Sequence, residues 1–277
     1  MPGYGSLKRR AFVLCVTLAL GLGAFPSAPV SEARAGFEDG WRAYQAGDFA
    51  GALNEWRPLA EGGDVAAQFN LGVMYDEGRG VVEDRAKALE WWRKAAAQGD
   101  GQSQHNISLA YIFGRGVERD YAKAVSWLEK AAASGIARSQ YSLGKLYGYG
   151  HGVAKDEKRA FMWISKAAEQ GLDKAQYNLG KMYRDGIGVD KDVVAAARAF
   201  LAAAEQGYAK AQNHIGVRLV RGEGIAKDEV QALMWLTLAA RQGHASAREN
   251  RKALARKLGT AVRDEAERRA RDWKPRK

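Results

Sequence analysis

A 36-residue period constrains this chain more than any other feature. From Ala67 the sequence reads AQFNLGVMYDEGRGVVEDRAKALEWWRKAAAQG, and the pattern returns without gaps at Ser103, Ser139, Ala175 and Ala211. Gly78, Gly114, Gly150, Gly186 and Gly222 hold one position; Gly80, Gly116, Gly152, Gly188 and Gly224 stand two residues later. Asp84, Asp120, Asp156, Asp192 and Asp228 recur, as do Ala88, Ala124, Ala160, Ala196 and Ala232. Trp91, Trp127, Trp163 and Trp235 share a position that Ala199 takes in the fourth copy. Five copies in register specify a stack of like units, each burying its apolar face against the next.

Each copy reads as two helices. In the first copy, Ala67, Leu71, Met74 and Tyr75 recur at helical spacing and predict a helix over 65–76. Gly78-x-Gly80 breaks it, because glycine tolerates backbone angles that other residues resist. Asp84 is placed to accept amide hydrogens at the start of a second helix. That helix carries Ala88, Trp91, Trp92, Ala95 and Ala96 and is expected to end on Gly99 as its C-cap. The recurring Ala is expected to let the two helices approach, with the recurring Trp filling the remaining gap.

The pattern AQYNLG-x-MY…G-x-G-V…D…A…W…KAA-x-QG resembles the Sel1-like repeat, a relative of the tetratricopeptide repeat, over about 65–243. The resemblance implies an all-α fold, a right-handed α/α solenoid of antiparallel helix pairs. Leu219 in place of the motif Tyr, and Ser108 in place of a motif Gly, are departures expected to affect local packing only. The resemblance also makes envelope signalling, polysaccharide regulation and host contact plausible settings. Cysteine-rich relatives have been linked to β-lactam binding or hydrolysis, and this chain lacks their cysteine pairs.

The stretches outside the repeats fit the same plan. Residues 1–35 read as a secretory signal. Lys8, Arg9 and Arg10 precede an apolar run from Ala11 to Phe25, and Ala33-Arg34-Ala35 supplies small residues at a cleavage site. An uncleaved N-terminal anchor is the alternative, although the run is shorter than the roughly 20 residues of a membrane span. Cys15, the chain's single cysteine, follows bulky residues and does not read as a lipid-attachment site. The expected location is therefore periplasmic or secreted, after cleavage near Ala35. Residues 36–63 read as an N-terminal tetratricopeptide-like capping unit, 64–246 as the five repeats, and 247–277 as C-terminal capping helices near 246–257 and 260–273 with a basic tail. The full chain carries a net charge of +11; without 1–35 it holds 39 basic against 31 acidic residues, and 12 against 5 of these lie in 248–277. That basic segment suits a solvated cap, with contact to an anionic membrane or polysaccharide as the alternative, and nucleic acid is a poor partner for an exported chain.

No constellation for chemistry is present. His105, His151, His214 and His244 fall outside any metal-ligand spacing, and each reads as an ordinary surface or partly buried histidine. No nucleophile elbow or phosphate loop occurs. The repeated Asp is too sparse for a calcium array, and Asn106-Ile107-Ser108, a glycosylation triplet, falls inside a predicted helix. No catalytic residue, metal or cofactor is expected.

Function then falls to the inner surface. In tetratricopeptide-like arrays the first helices line the concave side. Beside the core positions, helical spacing puts Phe69, His105, Arg138, Tyr141, Lys145, Lys174, Tyr177, Lys181 and Arg184 on the other face. This face is expected to grip an extended or helical segment of another protein, with the cations meeting acidic groups and the tyrosines giving rigid contact area. Asn70, Asn106 and Asn178 recur beside it and suit either ligand bonding or a structural role. Three readings follow: an exported, non-catalytic adaptor or regulator; an envelope protein held by its basic C-terminal segment; and a hydrolase with dispersed residues, the least supported.

Overall fold

The computed structural model describes residues 30–276, with side chains from Arg34 onward. The basic and apolar parts of the leader, and Cys15, lie outside the described residues. All regular structure among the described residues is helical. A leading pair, α1 (Val30–Ala46) and α2 (Phe49–Glu61), precedes five hairpins. These are α3 (Val65–Glu77) with α4 (Arg85–Ala97), α5 (Gly101–Phe113) with α6 (Tyr121–Ala133), and α7 (Ala137–Tyr149) with α8 (Glu157–Glu169). The last two are α9 (Asp173–Asp185) with α10 (Val193–Glu205) and α11 (Ala209–Arg221) with α12 (Glu229–Arg241). Helices α13 (Ala245–Ala255) and α14 (Thr260–Asp272) close the described chain. From α1 to α13 each helix packs on its neighbours in sequence, and α14 packs back on α12, so the molecule is an all-α solenoid with a segmented core.

Local chemistry sets the boundaries as the sequence reading expects. The carboxylates of Asp84, Asp120, Asp156, Asp192 and Asp228 each accept a backbone N–H from the first turn of their second helix. First helices end on a left-handed glycine, as at Gly78. The second glycine of each pair has a further duty. Gly188 has φ +69°, and a Cβ there would stand 2.0 Å from the Glu157 carbonyl oxygen at the start of α8 in the preceding hairpin. Gly224 repeats this against Val193 at the start of α10. Gly99 also has positive φ, but Gln98 occupies the cap of α4 and Gly99 follows it.

Packing inside each hairpin corrects one expectation. The gap is filled by the residue after the recurring tryptophan. A Cβ on Gly72 would lie 2.3 Å from the Trp92 ring, and one on Gly180 would lie 2.8 Å from the Phe200 ring. Ile164 and Leu236 sit over Gly144 and Gly216 in the same way, and Trp56 over Gly40 in the leading pair. In the second copy Ser108 holds the glycine position, fully buried, and its hydroxyl donates to the His105 carbonyl oxygen at 2.6 Å. Trp127 and Trp163 are only half-buried, each with a lysine one turn on, Lys130 or Lys166, 4.6 Å from its ring. Trp235 is covered, because Trp273 beyond α14 meets it edge to face at 5.8 Å. Helix α14 lies against α12, and the tail runs back until Arg276 pairs with Glu205 at 2.9 Å.

Phe200 is fully buried over Gly180, so Phe200→Ala should cost about 3–5 kcal/mol. Trp163→Ala should cost less than half as much. Equilibrium urea unfolding of the two variants checks the order, and equal losses would restore the tryptophan as the gap filler.

Candidate functional site

The first helices meet their counterparts in neighbouring hairpins through polar side chains. Tyr141 Oη accepts from Asn178 Nδ2 at 3.0 Å, Tyr177 Oη lies 3.4 Å from His214 Nε2, and Asn250 Nδ2 donates to Asn213 Oδ1 at 2.9 Å. These rungs link adjacent positions of successive copies, 37 residues apart. His105 Nδ1 and Ser139 Oγ, 2.8 Å apart, make a comparable link between α5 and α7.

Several of the predicted contact residues are therefore engaged inside the protein. His105 is buried, which leaves little of its ring for a partner; burial, and next the charge of Arg138, push its pKa down to about 4. Tyr177 packs against Phe200, Tyr208 and His214. Arg184 makes a two-pronged ion pair with Asp185, both contacts 2.6 Å, and that carboxyl titrates below its ordinary value mainly through this bond. Phe69 and Tyr141 are half-buried, and the Phe69 carbonyl accepts the Trp92 indole N–H at 3.3 Å. The remaining cations are open. Arg138 and Lys174 are exposed and Lys145 and Lys181 half-exposed, and among the described residues none has a carboxylate at ion-pair distance. Lys145 lies 5.8 Å from the Tyr141 ring and 5.7 Å from that of the exposed Tyr149. Lys210, on the same face of α11, is exposed too. The rungs join α7 to α9 and α9 to α11, so the predicted cations of α7 and α9 lie on neighbouring helices; His105 is buried beside Arg138, and Phe69 lies on α3, two hairpins before α7.

A second polar system escaped the sequence reading. Gln68, Gln104, Gln140, Gln176 and Gln212 donate through Nε2 to the carbonyl oxygens of Ala60, Ala96, Ala132, Ala168 and Ala204 near the end of the preceding second helix. In four copies the Oε1 atom accepts from the glutamine that caps the hairpin's own second helix: Gln98, Gln170, Gln206 and Gln242, at 2.8–3.0 Å. One amide thereby joins three helix ends. The recurrence of glutamine at every copy is the signal that could have revealed it. In the second copy Ser134 stands at the cap, too short to reach, and Gln104 Oε1 is buried without a partner.

Comparison with known proteins agrees with this architecture. The Sel1 repeat family model matches residues 65–100, 101–136, 137–172, 173–208 and 209–244. The chain belongs to the Sel1 repeat family. A protective antigen of uropathogenic Escherichia coli with an SLR fold is similar at 32% identity and a TM-score of 0.79, over 87% of this chain and 53% of that one. The chain thus spans about half the length of that antigen. A Sel1 repeat protein from Oxalobacter formigenes is similar at 30% identity and a TM-score of 0.72, over 86% of this chain and 96% of that one. No curated protein matches. Sel1 repeats commonly mediate protein–protein interaction and generally form non-catalytic scaffolds. Among the described residues, no group of three His, Cys, Asp or Glu could hold a metal ion, and no helix is long and apolar enough to cross a membrane.

Two measurements follow from these networks. Ser134→Gln should supply the missing donor to Gln104 and stabilise the protein by about 1 kcal/mol, read as a raised urea midpoint; a midpoint at or below wild type would show the amide oxygen already satisfied. The second concerns pH. His105 and His214 have folded pKa values pushed down to about 4 from an ordinary 6.5, His214 by burial and then by Arg184, Arg218, Lys181 and His244. The unfolded state binds protons first, so their contribution is intact above pH 6.5 and is lost as pH falls towards 4. His105→Gln should flatten the fall of the unfolding midpoint between pH 7 and 4.5, and an unchanged slope would refute this.

Proposed function

We propose that this Sel1 repeat protein is exported and acts without catalysis as an adaptor or regulator in the bacterial envelope, gripping a segment of another protein along its first helices. The observation that carries this reading is the set of open cations on α7, α9 and α11. Arg138, Lys145, Lys174, Lys181 and Lys210 share one face, without carboxylate neighbours at ion-pair distance, over side chains that the rungs hold in place. Such a surface suits an extended or helical acidic segment, with charge setting the approach and the ring of Tyr141 supplying contact area. No cofactor or metal enters the reading.

Export rests on the leader. The cleavage expected near Ala35 falls within α1, where Arg34 and Ala35 are exposed; just after it the Phe37 carbonyl accepts the Trp56 indole N–H at 3.1 Å and the two rings stack at 5.9 Å. Removing 1–35 would spare them. Residues 36–63 and 247–277 serve in this reading as caps, the second because α14 and Trp273 shield the outer face of α12.

The test is affinity capture from envelope extract with the wild-type chain and with Lys145→Glu/Lys174→Glu. Reversing two cations that have no carboxylate at ion-pair distance should lower the melting temperature by no more than the loss of Lys145's contacts with the Tyr141 and Tyr149 rings, and weaken the captured partner at least about tenfold. Undiminished capture would remove this face from the account.

A further inference from the structure

One buried charge breaks the repeat. At the position of Arg218 the other copies carry Met74, Ala110, Leu146 and Met182, each 6% exposed or less. Arg218 is itself only 5% exposed. No hydrogen bond or ion pair joins its guanidinium to any described residue. Its Nε is fully buried without a partner, whereas neither terminal nitrogen is, so the outer edge of the fork reaches the surface. The guanidinium carbon stands 4.9 Å from the Phe200 ring centre, which gives the group an aromatic floor. His214, one turn earlier on α11, stacks on the same ring at 4.8 Å. The nearby carboxylates, Glu223 and Asp185, are engaged with Arg221 at 3.3 Å and Arg184 at 2.6 Å. A desolvated cation with no carboxylate at ion-pair distance is costly, and an apolar side chain fits this position in four other copies.

We propose that Arg218 anchors a carboxylate-binding site at the α9–α11 junction, with Phe200 as its floor. The free edge of a guanidinium matches the planar fork of a carboxylate. The inference deepens the adaptor reading and rests on it only for the source of the carboxylate, an acidic side chain of the bound segment. The depressed pKa of His214, to which Arg184, Arg218 and Lys181 contribute after burial, agrees with a cationic pocket awaiting an anion.

The test compares wild type with Arg218→Met, which restores the residue of the first and fourth copies. Sodium citrate at about 20 mM should raise the wild-type melting temperature by a few degrees over sodium chloride at equal ionic strength. Arg218→Met should lose that response while melting at or above wild type in chloride. A short glutamate-rich peptide forms the second arm. Stabilisation by peptide and citrate assigns the site to an acidic side chain, and stabilisation by citrate alone assigns it to a small free carboxylate. Equal responses in the two proteins would overturn the site, as would an Arg218→Met protein that melts several degrees lower or fails to fold, since the arginine would then be structural. In the wild type, citrate should also raise the His214 titration midpoint followed by NMR, and an unmoved midpoint would count against the site. These outcomes are independent of Lys145 and Lys174, so failure here leaves the groove reading standing, and failure there leaves the citrate response intact.

Discussion

The contact between the second glycine of each Gly-x-Gly and the backbone of the preceding hairpin is the one on which the stacking depends. The second glycine of each Gly-x-Gly lies on the first residue of the preceding second helix, with no room for a Cβ at Gly152, Gly188 or Gly224. A turn that must touch its predecessor at one point cannot drift in length, which accounts for 36-residue copies repeating without an insertion. The first glycine closes the helix in a left-handed conformation; the second has positive φ as well as the contact. Two adjacent requirements for glycine thus produce both the hairpin and the angle at which hairpins join. Everything on the first-helix face inherits its spacing from that joint.

Within this frame the glutamine chain decides register in a way apolar packing alone does not. An apolar stripe can slide with modest loss, whereas a buried amide that misses its carbonyl is left unsatisfied at a cost of about 1–3 kcal/mol. Each of the five glutamines reaches back one helix, and in four copies its oxygen is held from its own hairpin. The second copy shows the dependence from the other side: serine at the cap leaves an amide oxygen bare. Because a solenoid unit interacts mainly with its neighbours, such a defect stays local and the array tolerates it.

How much was legible follows from the kind of signal each feature leaves. The hairpins, their Asp caps and their glycine stops could be read directly, since each depends on a residue type with a specific backbone role. The gap filler could not, because Trp163 and Ile164 are adjacent and both apolar, and helical periodicity does not say which of two neighbours faces the partner helix. The fourth copy held the clue: Ala199 replaces the tryptophan while the bulky Phe200 persists. Among the candidate contact residues, spacing placed them on one face but could not reveal that His105, Tyr177 and Arg184 are engaged by Ser139, His214 and Asp185. Those partners come from other helices or from side-chain conformation, which a period does not encode.

The same reasoning explains why Arg218 is informative and Arg184 is not. Repetition supplies an internal control: four copies show what the fold requires at a position, and a fifth that departs shows what it does not require. Arg184 departs from its counterparts, but it lies near the surface and finds a carboxylate next door. Arg218 departs at a core position and finds none within ion-pair distance. Nearest-neighbour stability permits this, because the penalty of one buried cation is confined to the α9–α12 neighbourhood while the remaining hairpins keep their packing. A repeat array can therefore concentrate a costly, ligand-seeking group in one unit without putting the whole fold at risk.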